Sequence, residues 1–382
     1  MECDLCSEQK LEMAYSVPTT QRGLSIFVCK NCGLVQSFPK IDHVNENNIS
    51  ISGDADWGNI RYGKGFVSKK AIKKLLETVD LKKIRNCLDI GSNRGAFIIE
   101  LKKICPNIEF VAIEPDTKII SDYKNKPKIK VINDRFENVK LETNTFELVY
   151  CSHTLEHLKS PKNSLKKISD VMKFDGILYL EVPNINKISN SDIIEEWFID
   201  KHLYHFSPAL LEKYLSEENF HIITKNSMDD ANIIIIAKKI KPNNLKYNFK
   251  NLSEYEKNIQ VIQRYKQVLK TNQLKLKKIG NHLNKISKEN KVIIWGAGRI
   301  LDKLVKVGNL NLESISGLVD NFLPTYIDKI HGNIIKYPNE IKWTEQDIVF
   351  ISSREYEKEI EEEVMKNNEN LKILKLSDFF IK

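Results

Sequence analysis

The stretch "CLDIGSNRGAF", Cys87–Phe97, limits the folds open to this chain more than any other segment. An apolar run ends at an acidic residue, turns through two glycines and opens a segment with helical periodicity. Such a turn presents backbone N–H groups to a nucleotide-bearing cofactor at the end of a strand. A second turn of this kind, "VIIWGAGRILDKL", follows about two hundred residues later, which predicts two α/β units in one chain.

The region around the first turn alternates strand-like apolar runs with helical segments, from "NCLDIG" to "GILYLEVP". This alternation predicts a parallel sheet covered by helices on both faces. Two later runs, "FHIITKNSM" and "DANIIIIAKK", are separated only by a turn and must therefore pair antiparallel. The predicted fold class is α/β, a Rossmann-like sheet that ends in an antiparallel hairpin.

Four of the seven cysteines form two C-x2-C pairs near the N-terminus: Cys3, Cys6, Cys29 and Cys32. Two such turns joined by an extended segment predict a tetrahedral four-cysteine zinc site. The site is structural, because thiolates fill all four coordination positions. So short a module depends on its metal for folding.

The chain divides by pattern into four segments. We predict a four-cysteine zinc-binding module at 1–45, a cofactor-binding domain at 46–240, a long helical linker at 241–290 and a smaller α/β domain at 291–382. The apolar positions of the linker follow a three–four spacing, which favours a helix packed along one face over a dimeric coiled coil. The sequence leaves the oligomeric state open.

Composition describes an ordinary globular protein, with 41% hydrophobic and 29% charged residues and a net charge of +8. The lysine excess is diffuse, with no basic block interleaved with aromatic residues, so nucleic acid is not the favoured partner. No apolar run is long enough to span a bilayer, and "MECDLCSEQK" has no signal-peptide pattern. We expect a cytoplasmic protein without a membrane partner.

Neither glycine turn carries the full G-x-G-x-x-G pattern of dinucleotide-binding folds: Asn93 and Leu301 stand where glycines are expected. After the first turn, however, the next strand-like run ends in Glu114, and the one after it ends in Asn133 and Asp134. An acidic side chain at a strand tip suits a ribose diol, and Asp134 is placed to meet an adenine edge.

These motifs resemble those of class I S-adenosylmethionine (SAM) methyltransferases: "CLDIGSNRGAF", "AIEP", "ND" and "CSHTLEHL". The order of modules over nearly the whole chain resembles the sugar C-methyltransferase family, which methylates nucleotide-activated ketodeoxysugars. The resemblance implies a nucleotide-sugar substrate, SAM as cofactor and a structural zinc. It assigns cofactor binding to Asp89, Gly91, Ser92, Asn93, Gly95, Glu114, Asp134, Ser152 and His153.

The catalytic candidates lie in "FIDKHLYHFSP", Phe198–Pro208. The resembled family carries a Tyr-His-Glu-His run whose last histidine is the general base, and that position corresponds to His202. Ile199, Asp200 and Lys201 replace the preceding three residues, which leaves transfer to a sugar hydroxyl as an alternative to transfer to carbon. Asp200, Tyr204 and His205 are candidates to orient or replace the base.

Alternative roles stay open for several of these residues. His202 is either the base or a structural residue that bridges loops, and His157 is assigned to shaping the local chain. Glu181 either contacts substrate or forms structural hydrogen bonds. Gly296, Gly298 and Arg299 of the second turn either hold the nucleotide of the substrate or only connect a strand to a helix.

Two competing functions remain at this stage. An RNA methyltransferase would use the cysteine module and the positive charge to grip phosphates, and its binding would depend steeply on salt. A non-catalytic scaffold with a methyltransferase fold would bind a partner through the cysteine module and the long helix.

Overall fold

The structure is a computed structural model, and it describes residues 1–17, 23–40, 66–120, 123, 129–188, 193–195, 197–199, 201–227, 230–242, 252–325, 327–354, 356–367 and 369–380. These residues fall into two compact units. The first holds the described residues of the ranges 1–48, 61–189 and 197–265, and the second holds those of 190–196 and 266–382.

The strands are β1 (Leu11–Ser16), β2 (Ser25–Cys29), β3 (Val35–Phe38), β4 (Asn86–Ile90), β5 (Glu109–Ile113), β6 (Ile129–Ile132), β7 (Phe146–Ser152), β8 (Met172–Pro183), β9 (Tyr204–His205), β10 (Phe220–Lys225), β11 (Asn232–Lys239), β12 (Val292–Trp295), β13 (Gly317–Val319), β14 (Lys329–Ile330), β15 (Asn333–Lys336), β16 (Ile348–Ile351) and β17 (Lys372–Lys375). The α-helices are α1 (Phe66–Thr78), α2 (Ala96–Ile104), α3 (Thr117–Ile120), α4 (Pro161–Val171), α5 (Pro208–Glu217), α6 (Leu252–Ile286), α7 (Arg299–Lys306) and α8 (Glu357–Asn367). Among the described helices, none combines the length and the apolar composition that crossing a bilayer requires.

The first unit contains a seven-stranded sheet in the order β10-β11-β8-β7-β4-β5-β6. Strands β4 to β8 pair in parallel. Strand β11 pairs antiparallel with both β8 and β10, which confirms the predicted terminal hairpin. The predicted mixed α/β, Rossmann-like fold is therefore present.

Side chains alternate between the two faces of this sheet, as the strand period requires. One face, with Leu88 and Val149, packs against α4 and α5. The opposite face, with Cys87 and Leu148, packs against α1 and α2. Both faces are covered, so the carboxyl ends of the parallel strands remain the place where this sheet can present polar groups to a ligand.

The four cysteines lie in the same unit, beside a four-stranded antiparallel sheet in the order β1-β2-β3-β9. Strand β9 comes from the segment that carries the catalytic candidates, and its His205 pairs with Val35 of β3. Cys3, Cys29 and Cys32 are buried in the same apolar core as the face of the large sheet that α4 and α5 cover. The domain boundaries predicted from the sequence stay a prediction.

The second unit is built on a six-stranded sheet in the order β14-β15-β13-β12-β16-β17, in which all pairs are parallel except β14 with β15. The last half of α6 packs on this sheet through Leu276, Ile279 and Leu283. The helix that was predicted from the three–four spacing is thus observed with its apolar face buried.

Candidate active site

The first glycine turn follows β4 and is closely packed. Gly91 has a φ of +70°, and a Cβ added to it would lie 2.2 Å from Oγ1 of Thr154. That hydroxyl lies within hydrogen-bonding distance of the carbonyl oxygens of Ile90 and Ser152, at 3.0 and 3.1 Å, which holds it in place. Only glycine fits at this position.

The rest of the turn is held by its own hydrogen bonds. The hydroxyl of Tyr123 donates to Oγ of Ser92 at 2.8 Å, and the Gly95 N–H donates to the Ser92 carbonyl oxygen at 2.9 Å. Gly95 and Asn93 both have positive φ angles, of +73° and +47°. This turn leads directly into α2, so it is pre-formed as a rigid cradle.

Asp89 lies one residue before the end of β4 and is the most unusual group of the site. It is 1% exposed, and neither carboxylate oxygen accepts a hydrogen bond from any described residue. Burial, followed by the nearby charge of Glu114, raises the pKa of Asp89 well above its ordinary value. A buried carboxyl without a donor is costly unless a cationic or hydrogen-bonding ligand completes it.

Glu114 follows β5 and is oriented by the backbone around it. One oxygen accepts from the Asn93 N–H at 2.7 Å and the other from the Asp116 N–H at 2.9 Å. Burial raises the pKa of Glu114. The Asn133 side chain donates to the Glu114 carbonyl oxygen at 2.9 Å, and Asp134 follows at the tip of β6. The adjacent strands therefore place the two predicted acidic groups at one edge of the sheet.

Ser152, the last residue of β7, and His153, which follows it, face Glu181 near the end of β8. The Glu181 carboxylate accepts from the Ser152 hydroxyl at 3.0 Å, the Tyr179 hydroxyl at 3.1 Å and the Asn232 amide at 2.9 Å. These three hydrogen bonds fix the Glu181 carboxylate in place, which favours structural hydrogen bonding as its role. Burial alone would lower the pKa of His153, but Glu156 and Glu181 hold it above its ordinary value.

Three side chains converge beyond His153: Glu156, His157 and His202. His157 Nδ1 lies 2.9 Å from the Lys201 carbonyl oxygen, and His202 Nδ1 lies 3.0 Å from the Trp197 carbonyl oxygen. Since a carbonyl oxygen only accepts, each Nδ1 carries the proton and each Nε2 carries the lone pair. Burial lowers the pKa of His157, and it lowers the pKa of His202 to about 3.

Of the other catalytic candidates, the structure describes His205 and Tyr204, and it places only His205 beside the His202 ring. The ring centroid of His205 is 6.2 Å from that of His202, and His205 Nε2 shares a hydrogen bond of 3.0 Å with the Ser37 hydroxyl. Tyr204 points to the opposite face of β9, where its hydroxyl donates to the Lys159 carbonyl oxygen at 2.8 Å. The structure does not bring Tyr204 to His202, and Asp200 lies outside the described residues.

The four N-terminal cysteines meet as predicted. The Sγ atoms of Cys3 and Cys32 are 3.5 Å apart, those of Cys6 and Cys29 are 3.6 Å apart, and all four lie within 4.8 Å of one another. Zn–S bonds of about 2.3 Å in a tetrahedron place sulfur atoms about 3.8 Å apart. The thiols therefore have the spacing that a tetrahedral zinc ion requires.

The second glycine turn follows β12 in the second unit. Gly296 has a φ of +105°, and the Ala297 N–H donates to a carboxylate oxygen of Asp320 at 3.1 Å. Gly298 has a φ of −88°, and a Cβ added to it would meet nothing within 4 Å. Among the described residues, packing does not require glycine there, and the space beside Gly298, at the start of α7, is open.

Sequence reasoning missed the grouping of Glu156 with His157 and His202. The dipeptide Glu156-His157 stands four residues after the end of β7, at the ligand-binding edge of the sheet, and that position was the available signal. His157 was assigned a role in shaping the chain, whereas the structure places its ring 5.0 Å from that of His202.

Comparison with known proteins identifies two regions of the chain. Residues 63–225 match a family described as a methyltransferase domain, and residues 288–374 match one described as C2185-like, N-terminal. The region 63–225 is thus similar to a methyltransferase domain. It contains the cofactor cradle, which consists of Asp89, the turn from Gly91 to Gly95, Glu114 and Asp134.

The chain is similar to parts of several curated proteins. It is 26% identical over 147 residues to a tRNA U34 carboxymethyltransferase of Desulforapulum autotrophicum, a match that covers 36% of this chain and 44% of that protein. It is 29% identical over 175 residues to an rRNA adenine N-6-methyltransferase of Limosilactobacillus reuteri, covering 44% and 63%. The chain thus spans about half the length of the curated relatives it matches.

Among solved structures, a 1,6-didemethyltoxoflavin-N1-methyltransferase of Burkholderia thailandensis with bound S-adenosylhomocysteine is 14% identical in sequence. The match covers 49% of this chain and 85% of that one, with a TM-score of 0.39.

Proposed function

We propose that this chain is a SAM-dependent methyltransferase that acts on a nucleotide-linked sugar or a related saccharide precursor. The observation that carries the methyltransferase part is Asp89, a buried carboxyl without a donor beside a turn that admits only glycine at Gly91. A cationic partner would satisfy the buried Asp89 carboxyl, and SAM carries both an ammonium and a sulfonium charge.

The residues of the cradle fit the parts of this cofactor. Asp89 is available to the ammonium group, the turn from Gly91 to Gly95 to the methionine and ribose end, Glu114 to the ribose hydroxyls and Asp134 to the adenine. When bound, SAM supplies an activated methyl group. The task left to the chain is to hold the acceptor in line and to remove its proton.

The histidines beyond His153 are the groups available for the acceptor. His202 exposes its Nε2 lone pair, as a general base requires, because its Nδ1–H is bound to the Trp197 carbonyl oxygen. A pKa of about 3 makes His202 a weak proton acceptor at neutral pH, since general bases work best near the operating pH. The role of His202 as a base stays a prediction, and its low pKa favours another use of the same lone pair.

The second glycine turn supports a nucleotide-linked acceptor. A helix N-terminus with an open glycine and an adjacent arginine is suited to a diphosphate. Gly296, Gly298 and Arg299 would then hold the nucleotide of the acceptor. We also propose a zinc ion on the four cysteines, where it would stabilise the sheet that includes β9.

Transfer of a labelled methyl group tests the proposal. The full chain is incubated with methyl-labelled SAM and with nucleotide 4-ketosugars, ordinary nucleotide sugars or bulk RNA. We expect label in a nucleotide-sugar fraction and its loss in Glu114→Ala, whereas His221→Ala, at an exposed position on β10, keeps full activity. Label in a ketosugar indicates transfer to carbon, and label in an ordinary nucleotide sugar indicates transfer to a hydroxyl.

Two results would overturn the choice of acceptor. Label found only in RNA would favour an RNA methyltransferase; one matched relative is named an rRNA adenine N-6-methyltransferase, and another is named a tRNA U34 carboxymethyltransferase. No label in any fraction, with SAM still bound, would favour the non-catalytic scaffold.

A further inference from the structure

The group formed by Glu156, His157 and His202 has the composition of a metal site. Each side chain offers one ligand atom, and these three atoms lie within 4.8 Å of one another. Two imidazoles and one carboxylate form the donor set that binds first-row divalent metals with coordination positions left open. The group is distinct from the four cysteines and from the residues assigned to the cofactor.

The two histidines are already oriented as metal ligands. A metal-binding histidine as a rule donates its second ring N–H to a carbonyl or carboxylate, which fixes the tautomer and the direction of the lone pair. His157 makes this bond to the Lys201 carbonyl oxygen and His202 makes it to the Trp197 carbonyl oxygen. His157 and His202 thus both have an Nε2 lone pair available to a metal ion.

Glu156 supplies the second, independent observation. It is 1% exposed, and neither of its carboxylate oxygens accepts a hydrogen bond from a described residue. Two histidine nitrogens, His153 Nδ1 and His157 Nε2, lie 3.6 and 3.9 Å from Oε1. The ion pair with His153 leaves both carboxylate oxygens without a hydrogen bond, and a divalent cation would bind them directly.

We propose that Glu156, His157 and His202 bind one divalent transition-metal ion of the Mn²⁺, Fe²⁺, Co²⁺ or Zn²⁺ type. Ligand atoms at about 2.1 Å from such an ion are about 3 Å apart when they are cis, so small side-chain movements close the site. Glutamate and imidazole suit these ions better than they suit Ca²⁺ or Mg²⁺, which prefer an all-oxygen shell.

The bound ion would leave coordination positions open to an oxygen of the acceptor. A hydroxyl or carbonyl oxygen on the metal becomes more acidic or more polarised, which replaces a strong general base. This role rests on the proposed function, whereas occupancy of the site does not.

Mn²⁺ titration of the full chain, followed by the EPR signal of the free ion, tests the site. The chain is first loaded with one equivalent of zinc and no excess, because the four thiolates take zinc and disfavour Mn²⁺ while an excess of zinc would also fill the proposed site. We expect about one Mn²⁺ per chain and at least tenfold weaker binding in Glu156→Gln and His202→Asn, in line with the loss expected for a ligand. His221→Ala, which changes an exposed histidine elsewhere in the first unit, should bind Mn²⁺ as the wild type does.

Folding of the variants is checked by 1:1 binding of SAM, which none of the three ligands is assigned to hold. Nitrogen couplings from two imidazoles in the pulsed EPR spectrum of the Mn²⁺-loaded wild type provide a measurement that needs no variant. No bound Mn²⁺, no imidazole coupling, or equal affinity in folded Glu156→Gln and His202→Asn would overturn the proposal. Mn²⁺ binding without SAM binding would refute the proposed function and leave the metal site intact.

Discussion

Replacement of Gly91 by alanine tests the account of the cofactor cradle through stability alone. The new Cβ would lie 2.2 Å from Thr154 Oγ1, at a backbone φ of +70°. A left-handed conformation costs a non-glycine residue about 1–2 kcal/mol. Forcing an extra methyl group into a packed site costs about 1–3 kcal/mol more. We therefore expect Gly91→Ala to destabilise the first unit by about 2–5 kcal/mol.

Gly23→Ala is the matched control. Gly23 lies in the same unit and has a φ of +69°, but a Cβ there would meet no described residue within 4 Å. This variant should lose only the conformational cost of about 1–2 kcal/mol. The entropy effect of alanine on the unfolded chain is shared by both variants and cancels in the difference.

Urea unfolding of the two variants and the wild type, followed by tryptophan fluorescence and circular dichroism, measures the difference. Gly91→Ala should be less stable than Gly23→Ala by about 1–3 kcal/mol. Equal destabilisation by the two variants would show that the Thr154 side chain moves away freely, and the description of a rigid cradle would be wrong.

Three further predictions follow from the same structure. Asp89→Asn should stabilise the cofactor-free protein, and its gain in the free energy of unfolding over the wild type should be larger at pH 8 than at pH 5. Because the folded pKa of Asp89 is raised, the stability that its carboxyl contributes in the wild type is full below about pH 3.9 and is lost as pH rises through the folded pKa. Urea unfolding at both pH values measures this gain, and a gain that shrinks with rising pH would contradict the prediction. Cys32→Ser should lower the bound zinc well below one ion per chain and lower the melting temperature, as elemental analysis and calorimetry will show; full zinc retention would count against the four-thiolate site. Gly33→Ala should destabilise the first unit by about 2 kcal/mol or more, because its Cβ would lie 2.7 Å from the backbone of Glu254 and Tyr255; unchanged urea unfolding would show that α6 can shift at no cost.

The sequence predicted the large sheet well, because its strands are buried on both faces and read as apolar runs between turns. Glu114 and Asp134 were placed correctly at the sheet edge, since parallel strands end at the same edge. The antiparallel hairpin was predicted because the turn between Lys225 and Asn232 is too short for a crossover connection.

The sequence could not predict that β9 joins the cysteine-bearing sheet. A strand of two residues, Tyr204–His205, has no detectable period, and its pairing with β3 joins residues about 170 positions apart. This pairing decides that Tyr204 and His205 point to opposite faces. It explains why only one of them lies near His202.

The grouping of Glu156, His157 and His202 was missed for a related reason. The first two follow β7, whereas His202 is brought back by a loop after β8, and loop paths leave no periodic signal. The unsatisfied carboxylates of Glu156 and Asp89 were also beyond reach, because satisfaction of a buried group depends on every neighbour in space.

A crystal structure of the full chain with S-adenosylhomocysteine tests the central claim most directly, since the chain carries two glycine turns. The account predicts the adenosine at the carboxyl edge of the seven-stranded sheet, with the ribose hydroxyls on Glu114 and the ammonium group of the ligand beside Asp89. Binding of the ligand at Gly296 and Gly298 instead, with the first cradle unchanged, would contradict it.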